Sequence, residues 1–221
     1  MSERLQGLAR ALVGRPYVGH ALVGGPQQAE RLVADLEGFD CVTFVENVLA
    51  LAHAQDLDCY LRELQAWRYQ DGQVQWLSRL HYFSDWFAAH QRRGALQLTT
   101  SGPGAVSYLK TLSLLEDFPA RRRRLVVVPR PRLRLAGPRI AQGSVVAFAS
   151  TRSRIDYFHV GLLFWQAVDD ETAVCEEHPA REKLMLYHAA RSLGQVVAEP
   201  LGRFLRRNRM RGLSFAAVPE R

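Results

Sequence analysis

Cysteine and lysine are scarce in this chain. Its 221 residues include only three cysteines, Cys41, Cys59 and Cys175. Three cysteines are too few for a disulfide framework, and an odd number cannot all be paired within one chain. Only two of its 29 basic residues, Lys110 and Lys183, are lysine, and the formal net charge is +7. This charge disfavours a basic partner and favours an anionic one, such as a nucleic acid, a membrane surface or a cell wall.

Long hydrophobic runs are also missing. No stretch of 18 apolar residues occurs, so no transmembrane helix is expected. The first ten residues lack the apolar core of a signal peptide, which predicts a cytoplasmic protein as the sequence is written. A signal trimmed or missed at the start codon would instead place it in the periplasm or cell envelope. No Walker loop, dinucleotide fingerprint or Gly-x-Ser-x-Gly elbow occurs, and no cofactor is predicted.

Helical patterns fill the first part of the chain and strand patterns the last part. Apolar residues recur at helical spacing over 5–13, 41–54, 57–67 and 82–90. Short apolar runs separated by turn signals occupy 144–149, 158–165, 184–190, 195–198 and 213–218. This order predicts an α+β fold with an antiparallel sheet. We expect one domain over 1–221, with a helical half at about 1–120 and a sheet half at about 140–221.

The segments that connect these elements have less regular sequence patterns. Residues 28–37 indicate a short helix or turn, and 94–104 a loop. Residues 121–139 are rich in arginine and indicate a solvated connection with a short strand at 125–128. Asp169–Arg181 is acidic and indicates a hairpin loop.

Cys41 is a candidate nucleophile. It follows Asp40, a good N-cap, and so is expected in the first turn of a helix. There the helix dipole and free N–H groups stabilise a thiolate and lower the thiol pKa. The alternative is a small buried side chain that fills a contact between helix and sheet.

Two histidines are candidate partners for this cysteine. His159 begins an apolar strand after a polar turn, where a general base facing a cysteine-bearing helix would lie. His188 lies on the next strand, and a hairpin between the two strands would bring it close enough to orient the imidazole of His159. A histidine that is merely buried and hydrogen-bonded is the ordinary alternative for each.

Other polar clusters carry weaker signals. His81 lies among aromatic residues and either lines a groove or caps a helix. Cys175 and His178 have a spacing that can bind metal, but they lack a second pair of ligands, so no metal site is predicted. The arginines of 121–124 and 203–211 indicate either a solvated surface or a site for a polyanion.

Five motifs together resemble the NlpC-type superfamily of bacterial cell-wall amidases and endopeptidases, which are papain-like cysteine hydrolases. The second and third motifs are similar to its N-acetylmuramoyl-L-alanine amidase-like branch. In chain order the motifs are Gly14-Arg-Pro-Tyr17, Gly38-Phe-Asp-Cys-Val-Thr-Phe-Val-Glu46, Arg79-Leu-His-Tyr-Phe-Ser-Asp-Trp86, Ile155-Asp-Tyr-Phe-His-Val-Gly161, and His188-Ala-Ala with Gly194-Gln-Val-Val197.

The resemblance implies a papain-like fold and roles for particular residues. Cys41 would be the nucleophile, His159 the base and His188 the orienting residue, a position that relatives fill with His, Asn or Gln. Tyr17 would lie beside the cysteine, near the oxyanion. The expected substrate-binding residues are Tyr17, Arg79, His81, Tyr82 and Asp156.

The implied activity is hydrolysis of peptidoglycan or muropeptides at the amide between N-acetylmuramic acid and L-alanine. Cleavage between D-glutamate and diaminopimelate is the alternative within the same class, and a non-catalytic module for nucleic acid or another polyanion is the alternative outside it. The chain departs from its relatives at Ser144, where they usually carry Asp, and at Arg191, where they carry a small residue.

Overall fold

A computed structural model describes residues 1–167 and 182–220. The predicted acidic loop Asp169–Arg181, with Cys175 and His178, therefore lies outside the described residues. The helices are α1 (Ser2–Ala11), α2 (Cys41–His53), α3 (Leu57–Arg68), α4 (Phe83–Arg92) and α5 (Leu201–Arg207). The strands are β1 (Val23–Gly25), β2 (Gln28–Arg31), β3 (Gln97–Leu98), β4 (Val106–Leu112), β5 (Arg121–Val127), β6 (Ser144–Ala149), β7 (Tyr157–Ala167), β8 (Glu182–Ala190), β9 (Gln195–Pro200) and β10 (Gly212–Ala217).

A six-stranded antiparallel sheet in the order β3-β10-β6-β7-β8-β9 forms the centre of the fold. Successive side chains of a strand face opposite sides of the sheet. Val145 and Ala147 of β6 accordingly join a core with α1 to α4, whereas Val146 and Phe148 join a second core with α5. The α+β prediction with an antiparallel sheet is confirmed.

Helix α2 is buried along most of its length because it lies between the sheet and its neighbouring helices. Residues 43–50 are all buried, and α2 contacts α1, α3, β7 and β8. A helix buried all round needs apolar residues on every face, as in its Val-Leu-Ala-Leu-Ala run. This packing fixes Cys41, the first residue of α2, beside the backbone of Val160 in β7.

Two connecting segments differ from the prediction. Gln28–Arg31 is a strand that pairs with Val23–Gly25, because the turn at Gly25 and Pro26 closes a hairpin where a short helix or turn was expected. Arg121–Val127 is a full strand paired with Val106–Leu112, so most of the arginine run is not a solvated connection. Leu125 and Val127 of this strand lie in the core, whereas Arg122, Arg123 and Arg124 before them are exposed and Arg121 is half-buried.

The helices and strands predicted at 5–13, 41–54, 57–67, 82–90 and from 144 onwards match the structure to within a few residues. Strand β3 lies in the predicted loop 94–104, and β4 and α5 were not predicted. The single-domain assignment stays a prediction. In the described part of the chain, no helix is both long and apolar enough to cross a membrane.

Candidate active site

Asp40 fixes the start of α2 and hence the position of Cys41. Its Oδ1 accepts the N–H groups of Val42 at 3.0 Å and Thr43 at 2.7 Å, and Thr43 Oγ1 accepts the Asp40 N–H at 2.9 Å. This reciprocal pair is a capping box. It consumes two of the N–H groups of the first turn. The N–H of Cys41 itself is not used by the capping box.

The thiol of Cys41 is more strongly desolvated than its position at a helix start suggests. Burial, followed by the nearby charge of Asp40, raises its pKa to about 12, although backbone N–H groups of Val160, Cys41 and Val42 act in the opposite direction. Desolvation disfavours the thiolate by more than the N–H groups and helix start favour it. The resting side chain is therefore a thiol, which differs from the thiolate expected from the sequence.

A β-bulge at the start of β7 positions His159. Phe148 is opposite His159 and Ala149 is opposite Tyr157, so Phe158 is an extra residue between the two pairs. A bulge bends its strand and redirects the neighbouring side chains. As a result Phe158 and His159 both line the cavity that contains Cys41. The His159 ring also stacks on Phe204 of α5, with centroids 5.2 Å apart.

A chain of polar contacts leads from His159 into the protein. Nε2 of His159 lies 2.6 Å from Nδ1 of His188, and Nε2 of His188 lies 3.1 Å from Oε1 of Glu199. Arg207 Nη2 donates to both oxygens of Glu199, at 2.5 and 2.7 Å. His188 and Glu199 are both buried, so their charges and hydrogen bonds are little screened by water.

This chain determines which ring nitrogens carry protons. The Glu199 carboxylate only accepts, so Nε2 of His188 is its donor and Nδ1 of His188 is left as an acceptor. Nε2 of His159 then donates to that acceptor, which leaves Nδ1 of His159 without a proton. Burial and the neighbouring His188 lower the pKa of His159 to about 3, so the ring is neutral near pH 7. No hydrogen bond joins Cys41 Sγ to His159 in the described residues.

Glu199 was not singled out from the sequence, and Arg207 was noted only as part of the basic cluster at 203–211. The available signal was an acidic residue in the short β9 strand beside the His188 strand, followed by an arginine-rich helix. That Glu199 reaches His188 depends on the pairing of β8 with β9, in which His188 lies opposite Val197. The contact with Arg207 depends on the fold of α5 against both strands.

Tyr17 is held by backbone pairing on two sides. Its N–H donates to the carbonyl of Gly194 at 2.8 Å, just before β9. Phe39 donates to the carbonyl of Pro16 at 3.0 Å and accepts from Val18 at 2.9 Å, which ties the same segment to the residue before Asp40. Tyr17 is half-buried beside Cys41, and burial together with the charges of Cys41 and Asp40 raises its pKa. Its hydroxyl therefore stays protonated.

Two cavities meet at Cys41 and His159. The larger, of about 770 Å³, also contains Tyr17, His188 and Arg191. The smaller, of about 320 Å³, lies on the other side of Cys41 and is lined by more apolar than polar surface. A cleft that continues to both sides of the sulfur can accommodate a chain-like substrate with its central bond at the thiol.

The four other predicted substrate-binding residues all line the smaller cavity, but most of their polar atoms already have protein partners. Arg79 forms a paired contact with Glu30, at 2.5 and 2.8 Å, and His81 Nε2 lies 2.9 Å from the carbonyl of Trp76. Tyr82 accepts the N–H of Leu114 at 2.8 Å, and buried Asp156 accepts two backbone N–H groups. These contacts shape the cavity, and direct substrate binding by these residues stays a prediction.

The described residues include no group of three or more His, Cys, Asp or Glu side chains that could hold a metal ion. The pair Cys175 and His178 lies outside them.

The AmiA-like family model, described as N-acetylmuramoyl-L-alanine amidase-like, matches residues 7–213 of the chain. Among solved structures, an N-acetylmuramoyl-L-alanine amidase from Bacteroides uniformis is 24% identical, with a TM-score of 0.81 and coverage of 99% of both chains. A Legionella pneumophila protein of the DUF1460 family is 19% identical, with a TM-score of 0.81, and the match covers 99% of this chain and 89% of that one. At these identities the structures show a shared fold. The search of curated proteins found no significant match.

Proposed function

Because the chain belongs to the AmiA-like family of N-acetylmuramoyl-L-alanine amidase-like proteins, we propose that it is a papain-like cysteine hydrolase of the NlpC type. Its substrate is peptidoglycan or a muropeptide, and it cleaves the amide between N-acetylmuramic acid and L-alanine. The observation that carries this proposal is the placement of Cys41 and His159 in one cavity, with His159 held by His188.

His159 acts as the general base. Both Cys41 and His159 are neutral at rest, so the proton passes from Sγ to Nδ1 of His159 as the sulfur attacks the amide carbon. The C–S bond forms and the carbonyl oxygen becomes an oxyanion. The imidazolium is stabilised through His188 by the negative charge of Glu199.

The tetrahedral intermediate collapses with His159 as the acid. Nδ1–H protonates the amide nitrogen and the C–N bond breaks. The L-alanyl amine departs, and the acyl group remains on Cys41 as a thioester. Water then attacks the thioester carbon and gives a proton to His159. The C–S bond breaks, the sulfur regains that proton, and the released carboxyl group of muramic acid loses its own proton to solvent.

Two donors suit the oxyanion. The N–H of Cys41 is free of the capping box, and the Tyr17 hydroxyl is a protonated donor beside the cysteine. Donors that are fixed before the reaction stabilise the developing charge without reorganisation, and removal of one such donor typically costs about 10²–10³ in kcat.

Defined muropeptides with mass spectrometry of the products test this proposal. Wild-type protein should release free L-alanyl peptides, and Cys41→Ala should release none. Cys59→Ala is the matched control, because Cys59 also lies near a helix start but lines neither cavity. Products cut between D-glutamate and diaminopimelate would replace the amidase by the endopeptidase, and full activity in Cys41→Ala would exclude the cysteine mechanism.

A further inference from the structure

We propose that three arginines around the larger cavity bind the carboxylates of the stem peptide, so that the enzyme prefers free stem carboxylates over amidated ones. We call this group the basic rim: Arg152, Arg191 and Arg209. The inference rests on the proposed function, and it adds an orientation for the substrate and a basis for selectivity.

The basic rim carries positive charge that the protein does not neutralise locally. The larger cavity has four arginines and no acidic residue in its described lining. Arg207 pairs with Glu199, whereas the described residues provide no ion-pair partner for Arg152, Arg191 or Arg209. All three are exposed, so they are available to an anionic ligand. Guanidinium groups bind carboxylates through paired hydrogen bonds.

The three available arginines come from different connections in the fold. Arg152 lies between β6 and β7, Arg191 begins the short turn after β8, and Arg209 lies between α5 and β10. Their convergence on one cavity supplies separate cations for separate carboxylates. The charge of Arg191 acts on the Tyr17 hydroxyl, where it partly opposes the rise in pKa, so Arg191 lies close to the residue beside Cys41.

The smaller cavity has a different charge balance. Its two arginines are neutralised by buried partners, Arg68 by Glu46 at 2.8 Å and Arg79 by Glu30 at 2.5 Å. Unpaired positive charge in the described part of the cleft is thus concentrated on one side of Cys41.

This asymmetry matches the two arms of the proposed substrate. The carboxyl group of muramic acid is consumed in the scissile amide, so the muramoyl arm is uncharged. The stem peptide carries free carboxylates. The charge pattern therefore places the peptide in the larger cavity, against the basic rim, and the muramoyl group in the smaller cavity.

The test compares N-acetylmuramoyl peptides that carry free stem carboxylates with the same peptides carrying carboxamides. Because a hydrogen bond to a charged group contributes more than one between neutral groups, we expect kcat/KM to fall about tenfold on amidation. Increasing salt should reduce the preference. In Arg191→Gln/Arg209→Gln the preference should fall to within about twofold, and Arg122→Gln should retain it, since Arg122 is exposed on β5 and lines neither cavity.

Failure of the inference can be separated from failure of the proposed function. Hydrolysis without a charge preference, or with one that the double variant keeps, overturns the basic rim and leaves the amidase. If no muropeptide is hydrolysed, calorimetric binding of both peptide forms to Cys41→Ala still measures the preference. A duplex DNA that binds through Arg191 and Arg209, with no difference between the two peptide forms, overturns the inference in favour of a polyanion site.

Discussion

His159 and His188 form a hydrogen-bonded pair in which the two rings are nearly perpendicular. Nε2 of His159 lies 2.6 Å from Nδ1 of His188, and the ring planes meet at 86°. His188 is in turn held by Glu199, so the second histidine has a fixed tautomer before substrate binds. Because Nε2 of His159 donates to His188, Nδ1 of His159 carries no proton and can act as the base in the cavity.

Substitution of His188 tests this orienting role. Asn at position 188 retains a carbonyl oxygen that can accept from Nε2 of His159, whereas Ala retains no acceptor. We expect His188→Ala to lower kcat by roughly 10²–10⁴, the range for loss of an orienting residue or of acid–base assistance. His188→Asn should keep at least tenfold more activity than Ala, measured by hydrolysis of a muropeptide at saturating concentration.

The pH dependence of kcat/KM tests whether His159 is buried and neutral in the free enzyme. With His159 neutral down to a pH well below 6.5, the acidic limb of kcat/KM in the wild type should lie below pH 5. An acidic limb near 6.5 would show that His159 is exposed to solvent in the free enzyme. Equal losses in His188→Asn and His188→Ala would contradict the acceptor role.

Local patterns predicted the elements that carry the site, but not the interactions between them. Asp40 before an apolar helix identified the start of α2, and the strands of His159 and His188 followed from short apolar runs. The pKa of Cys41 depends on burial by the whole fold, which no local pattern contains. Glu199 becomes a partner of His188 only through the β8–β9 register. In the same way, Arg121 and Arg123 of β5 pair with Asp85 of α4, which is a contact between elements distant in sequence.

Gly161 is predicted to control the spacing of the two histidine strands. A Cβ at this position would lie 2.7 Å from the carbonyl oxygen of Tyr187 and 3.1 Å from Cβ of His188. Gly161→Ala should push β8 away from β7, lower kcat and destabilise the fold by about 1–3 kcal/mol, as overpacking usually does. Urea unfolding and muropeptide hydrolysis measure the two effects.

Gly7→Ala provides the control for this substitution. Gly7 lies inside α1 with open space around its Cα, so alanine there should stabilise the protein by about 0.5–1 kcal/mol. Wild-type kcat and stability in Gly161→Ala would show that β8 tolerates the methyl group, and the spacing argument would fail.

His90 is predicted to make stability depend on pH. Its ring packs against the stacked rings of Trp67 and Trp86, with centroids 4.4 and 4.3 Å away, and burial lowers its pKa to about 2. The unfolded chain binds a proton at this histidine below about pH 6.5 and the folded chain does not. The stabilisation is thus complete above that pH and is lost as pH falls, at up to about 1.4 kcal/mol per unit.

His90→Gln removes this titration and keeps a donor for the carbonyl of Trp67. The free energy of unfolding should then change less steeply between pH 6.5 and 4.5, by up to about 1.4 kcal/mol per unit. Urea denaturation across this range measures the slope, and His20→Gln, at an exposed position, should leave it unchanged. If His90→Gln follows the wild-type slope, His90 takes up its proton in the folded protein.

The charge of Asp40 is predicted to suppress the reactivity of Cys41 while its side chain holds the helix start. After burial, Asp40 is the next largest cause of the raised thiol pKa. Asn is as good an N-cap as Asp, so Asp40→Asn should preserve α2 and lower the pKa of Cys41. Each unit of decrease in the thiol pKa raises the thiolate fraction about tenfold at pH 7 to 8, and the rate of alkylation by iodoacetamide should rise with it.

The alkylation is measured in a Cys59→Ser/Cys175→Ser background, in which only Cys41 reacts. As the control, Asp58→Asn removes the same charge from the first turn of α3 and should leave the rate unchanged. An unchanged rate in Asp40→Asn would mean that burial alone sets the pKa of the nucleophile.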